Sequence, residues 1–227
     1  MLRFAWATAL VTLIVLALKL TILDPANQTA SCAQLELEFE SEDFKNSLPK
    51  APALIIGNQR VRYWDTPPSP SEDKVAVRRW MAGLNPNFIN QCFTRLVGFY
   101  QPSLVIFPID TTFAVNADQS AVLDALQGII DQRSEYSLDF ELWVIAPITT
   151  PRYQLTDKAF PEEVRAAGSE WAANESKAHW LDLQYTFIDQ GGVPDSRLVW
   201  PDGNTLNEAG YQRLTDALVA ISNGRKQ

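Results

Sequence analysis

Gln59 stands where a nucleophile would be expected. Residues 55–65 read I-I-G-N-Q-R-V-R-Y-W-D, an apolar run ending in a glycine turn, and α/β hydrolytic enzymes hold an activated serine at such a turn. A carboxamide has no proton that a base removes near pH 7, so Gln59 cannot take that part. Near the other end, W-P-D-G-N-T-L-N-E-A-G-Y (200–211) carries Asp202 three residues before Thr205. That spacing suits an aspartate that orients a general base, but a threonine hydroxyl titrates far above neutrality and Thr205 is no base.

Other groups that could do chemistry are few. Ser69 and Ser71 lie in the proline-rich T-P-P-S-P-S-E-D of residues 66–73, and Ser103 precedes an apolar strand-like run. His179 is the only histidine and comes just before another such run, so it is expected at the far edge of a sheet rather than at its active end. Asp110 and Asp202 could converge as an acid/base pair, although a loop-capping aspartate and a turn-forming Asp-Gly explain them more simply. No His-x-His, Cys-x-x-Cys, calcium loop or glycine-rich phosphate loop occurs, so neither a metal nor any other cofactor is implied. What remains is a set of hydrogen-bonding and stacking groups. Gln59, Arg60, Trp80, Thr112 and Thr205 would line a cleft suited to carbohydrate or an acylated polymer, with Trp64 and Trp80 as core aromatics the alternative. Arg62 and Asp65 are expected to pair beside the turn.

These residues need a frame that gathers loops. Beyond a polar, acidic stretch ending at Lys50, short apolar runs alternate with amphipathic segments, the pattern of a parallel sheet wrapped by helices. Strands are expected at 53–56, 75–77, 104–107, 142–145 and 180–183, and helices at 87–100, 118–133, 161–173 and 207–222. The last is the most regular, with Tyr211, Leu214, Leu218 and Ile221 on one face and Asn207 as its N-cap. The expected architecture is an α/β three-layer, flavodoxin-like sandwich of about five parallel strands with helices on both faces. Ligands of such sheets sit at the carboxyl ends of the strands.

The chain divides into a leading segment, residues 1–33, and a single domain, residues 34–227. Phe4 to Leu18 is almost wholly apolar, follows Arg3, and resumes after Lys19 as L-T-I-L. That reads as an apolar helix that anchors the protein in a membrane, with a cleaved signal peptide the alternative, and it places the domain outside the cytoplasm. The domain carries 17 basic and 26 acidic residues, net −9, which argues against nucleic acid as a partner. An oxidising compartment would permit a Cys32–Cys92 disulfide. Phe88, Cys92, Leu96 and Phe99 recur at helical spacing, however, so Cys92 is expected as a buried small hydrophobe.

Four stretches, in order, resemble the blocks of the SGNH, or GDSL-type, hydrolases. A-L-I-I-G-N-Q-R-V-R-Y-W is similar to the first, V-A-V-R-R-W-M-A-G-L-N to the second, Q-P-S-L-V-I-F-P-I-D-T-T-F to the third and W-P-D-G-N-T-L-N-E-A-G-Y to the fifth. The resemblance implies that the serine position falls on Gln59, the oxyanion glycine on Gly83, the oxyanion asparagine on Thr112, the aspartate on Asp202 and the histidine on Thr205. Three of those five are replaced. The resemblance therefore implies a protein without Ser-His esterase activity that keeps a binding or accessory role. A divergent esterase or acyltransferase is the alternative, and a closed, purely structural cleft is a third.

Overall fold

The structure, a computed structural model, describes residues 32–45, 48–65, 67, 75–109, 119–155 and 159–224. The apolar leading run, the serines at 69 and 71, Asp110 and Thr112 lie outside the described residues. Among the described residues no helix is long and apolar enough to cross a membrane.

Five short parallel strands form one sheet: β1 (Ala53–Gly57), β2 (Ala76–Trp80), β3 (Leu104–Pro108), β4 (Glu141–Ile145) and β5 (Ala178–Leu181), in the order β2-β1-β3-β4-β5. The strand order reverses between β1 and β3, which opens a crevice at their carboxyl ends. Alternate residues along each strand go to opposite faces. Leu54, Ile56, Val105, Phe107, Leu142 and Val144 join one core, and Ala53, Ile55, Leu104, Ile106, Trp143 and Ile145 the other. Helices α1 (Cys32–Lys45), α3 (Pro86–Gln91), α4 (Phe93–Leu96), α5 (Gln119–Glu135) and α7 (Ala159–Asn174) contribute to the first. The short α2 (Gln59–Arg62) and the long C-terminal α8 (Glu208–Gly224) contribute to the second. That is a three-layer α/β sandwich. A further short helix, α6 (Pro151–Gln154), follows β4.

The acidic stretch before Lys50 is largely helix, and α1 starts at Cys32, inside the segment that the sequence reading assigned to the leader. Its buried stripe is Leu35, Phe39 and then Asp43, spaced i, i+4, i+8. A charge in the third place of that stripe hides its amphipathicity. Asp43, whose side chain is 5% exposed, is gripped by Arg79 (8% exposed) and Arg95 (10% exposed). Arg95 Nη2 donates to Asp43 Oδ2 at 2.6 Å. The Tyr100 hydroxyl, which accepts from Arg79 Nε at 2.7 Å, donates to Asp43 at 2.9 Å. Glu42 and Glu36 add outer ion pairs at 3.3 Å to Arg79 and 3.0 Å to Arg95.

Two expectations are corrected here. Cys92 is buried as anticipated, yet it is not a free thiol: it is bonded to Cys32, with the Cα atoms 5.4 Å apart. The helix expected over 87–100 is three pieces, α3, α4 and a 3-10 turn at Gly98–Tyr100. The first break falls at Cys92, whose φ/ψ of −114°/24° leaves the helical region at the residue joined to α1.

Candidate functional site

The first loop turns sharply. Gly57 ends β1, and a Cβ there would come within 2.4 Å of Val61 Cγ2, so only glycine lets α2 fold back this tightly. Asn58 caps α2, accepting from the Arg60 amide at 3.2 Å. Gln59 is thereby held exposed at the first helical position. Arg60 turns inward and is 6% exposed, with Nη1 unpartnered among the described residues.

The second loop lies alongside. The Met81 amide donates to Gly57 O at 3.2 Å, and the Leu84 amide closes a turn onto Met81 O at 3.1 Å. Gly83 in that turn has φ +75° and open space where a Cβ would point. The glycine is required by the backbone conformation rather than by crowding.

The loop before α8 holds the most informative geometry. Asp202 Oδ1 accepts from the amides of Asn204 and Thr205, both at 2.9 Å, and Oδ2 accepts from Thr205 Oγ1 at 2.6 Å. Burial pushes the Asp202 carboxyl up, but the Thr205 hydroxyl, the two amides and the nearby Arg152 outweigh it, and the net shift is downward. The carboxylate thus closes its own turn. Thr150 Oγ1 donates to Asn204 Oδ1 at 3.0 Å, and the Arg152 amide donates to Gly203 O at 2.9 Å, so α6 braces this loop. Asn207 caps α8 as expected, accepting from the Gly210 amide at 3.0 Å.

A bond that sequence reasoning missed links the first and last loops. The Tyr211 hydroxyl donates to Arg60 O at 2.9 Å, Trp64 Nε1 donates to Thr215 Oγ1 at 3.0 Å, and the Trp64 and Tyr211 rings stack with centroids 6.5 Å apart. The helix that begins at Gln59 is thus tied to the helix that follows Thr205. Tyr211 belongs to the same G-Y pair that carried the resemblance.

The tryptophans part company. Trp64 is wholly buried and is a core aromatic. Trp80 is half-buried, with one side against the second core and the Arg62 guanidinium 4.6 Å from its ring centroid. The expected Arg62–Asp65 pair does not form. Asp65 is paired with Arg78 at 3.3 Å, and Arg78 Nη1 also donates to Trp64 O at 2.6 Å. With Asp65 taken by Arg78, the Arg62 guanidinium stacks on Trp80.

His179 lies on β5 beside Trp143 and 3.5 Å from Glu141, the first residue of β4. It is toward the amino end of the sheet, away from Gln59 and Thr205. Ser103 is likewise at the amino end of β3, donating to Ala51 O at 2.8 Å. Among the described residues no group of His, Cys, Asp or Glu could hold a metal ion.

Many solved structures share this architecture. A Streptococcus pneumonia protein named for platelet activating factor superposes with a TM-score of 0.69 over 96% of this chain and 99% of its own, at 18% identity. A GDSL-like lipase from Bacteroides thetaiotaomicron gives 0.63 over 86% and 100%, at 12% identity. The fold is that of the GDSL lipolytic hydrolases. A carbohydrate esterase from Talaromyces cellulolyticus has it too, with a TM-score of 0.56 over 78% of this chain and 98% of its own, at 13% identity. No protein-family model and no curated protein sequence matches the chain. In this chain the loop that holds Gln59 is joined to the one that holds Gly83 by the Met81–Gly57 bond, and to the helix after Asp202 and Thr205 by the Tyr211–Arg60 bond.

Proposed function

We propose that this protein is a GDSL-fold binding protein of the cell envelope, anchored by its leading segment, that does not perform Ser-His ester hydrolysis and recognises acylated carbohydrate in an accessory role. One observation carries the reading. The carboxylate of Asp202 has both oxygens committed to Thr205 and Asn204, and the residue at the head of α2 is a glutamine. Neither end of a proton relay is in place, and losing nucleophile or base alone lowers turnover of triad enzymes about a millionfold. The polar and aromatic groups at the loops favour a sugar polymer, as does the occurrence of a carbohydrate esterase among the proteins of like fold. The Cys32–Cys92 disulfide favours an oxidising compartment.

Labelling with a fluorophosphonate probe tests it, since such reagents need an activated nucleophile and assume no substrate. The purified protein should remain unlabelled and leave p-nitrophenyl acetate unhydrolysed above buffer, while binding an O-acetylated oligosaccharide. A labelled serine would sink the proposal and favour a divergent esterase or acyltransferase.

A further inference from the structure

Four arginines lie on α2 and β2, in a chain of formal net charge −8. Arg78 and Arg79, on β2, are neutralised by Asp65 and by Asp43 with Glu42. Arg60 and Arg62, on α2, have no ion pair among the described residues. Arg60 is buried, whereas Arg62 is exposed.

Arg62 is nevertheless not a loose surface side chain. Its guanidinium carbon lies 4.6 Å from the Trp80 ring centroid and 5.4 Å from that of Tyr63, distances at which a ring face attracts a cation by about 0.5–1 kcal/mol even in water. Its carbonyl accepts from Arg78 Nη1 at 3.2 Å, which pins the backbone beneath. Stacking holds the face of the guanidinium and leaves its N–H edge open, the presentation that suits bidentate recognition of a carboxylate or phosphate. The place is also specific. Arg62 follows Gln59 by three residues on one helical turn, so the two share a side of α2. Trp80 is in register with Gly57, and Gly83 comes three residues later. Tyr63, 47% exposed, adds an aromatic face next to the charge.

We infer that Arg62, stacked on Trp80 and Tyr63, is an anion-recognition subsite beside the loops that hold Gln59 and Gly83, and that the ligand is an anionic sugar whose carboxylate or phosphate sits on the guanidinium edge. The sugar part of this inference rests on the carbohydrate reading above; the anion part stands on the arginine geometry.

Calorimetric titration of the full chain with trigalacturonate, with glucose 6-phosphate and with neutral maltotriose separates the outcomes, and the two charged probes distinguish a carboxylate from a phosphate ligand. The wild type should bind at least one charged probe about tenfold more tightly than maltotriose, the worth of one charge-assisted hydrogen bond. Arg62→Gln should erase that preference with an unchanged melting temperature, and Arg62→Lys, which keeps the charge without the planar fork, should restore only part of it. A preference that survives Arg62→Gln, or none in the wild type, overturns the subsite. An O-acetylated neutral oligosaccharide that binds wild type and Arg62→Gln alike would do so while leaving the carbohydrate reading intact, and failure of every saccharide would remove both.

Discussion

Replacing Asp43 by asparagine keeps its shape and deletes its charge, and the protein should lose about 3 kcal/mol of stability. The arithmetic starts from burial. Arg79 and Arg95 are 8% and 10% exposed and meet at a carboxylate that is itself 5% exposed. Removing one partner of a buried ion pair leaves an uncompensated charge and costs about 3–5 kcal/mol. Glu42 and Glu36 remain to neutralise the arginines, but both are more than half exposed and screened by solvent, which places the loss at the lower end of that range. For a domain of this size, about 2–4 °C of melting temperature accompanies each kcal/mol, so the transition should fall by roughly 6–12 °C. The pH dependence has a definite sign. Burial pushes the Asp43 carboxyl up, but hydrogen bonds from Arg95, Arg79 and Tyr100 outweigh it and hold it below 3.8. A depressed carboxylate stabilises fully above its unfolded value and loses that contribution as the pH falls toward the folded one. The gap between wild type and Asp43→Asn should therefore be constant near neutrality and narrow below about pH 4. Urea titrations at fixed pH, with the disulfide intact, measure it. A gap under about 1 kcal/mol at pH 7, or one that widens in acid, would refute the claim that this carboxylate holds α1 to the domain.

Two other perturbations probe the remaining structure. Gln59→Ser, Thr112→Asn and Thr205→His together should create esterase turnover at least about a hundredfold above the wild-type background, a small part of the millionfold that nucleophile and base supply. That activity should rise with pH through about 6.5 as the new imidazole loses its proton, and a folded triple variant with no gain on p-nitrophenyl acetate would show that the positional match is wrong. Reduction of Cys32–Cys92, which closes a loop with a sequence separation of 60, should lower the stability measured in urea by about 4 kcal/mol on the chain-entropy account; a loss below about 1 kcal/mol would mean that packing and ion pairs, not the disulfide, secure α1.

The sheet was legible because its signal is local. The central strands are short runs buried on both faces, and all five observed strands overlap the expected ones, with boundaries shifted by at most three residues. What escaped depends on distant partners. Nothing near Asp43 announces that Arg79 and Arg95 will cover it, so α1 reads as a solvated acidic stretch. Cys92 has the spacing of a core residue and is one, and its bond to Cys32 depends on where α1 docks. Arg62 next to Asp65 invites a local pair, and only the parallel register of β1 with β2 brings Arg78 to Asp65 and Trp80 to Arg62.

The loop before α8 is held by its own hydrogen bonds. Asp202 does two jobs there, holding the side chain three positions on and folding the turn that delivers it. The amides of Asn204 and Thr205 converge on Oδ1, and Oδ2 takes the Thr205 hydroxyl at 2.6 Å. The Thr205 hydroxyl thereby leaves neither carboxylate oxygen without a donor. Gly203, Asn207 and Tyr211 keep their structural partners for the same reason: they close on Arg152, on the first turn of α8 and on Arg60, none of which requires catalysis. The motif is thus held by folding, and its presence in a sequence identifies the loop.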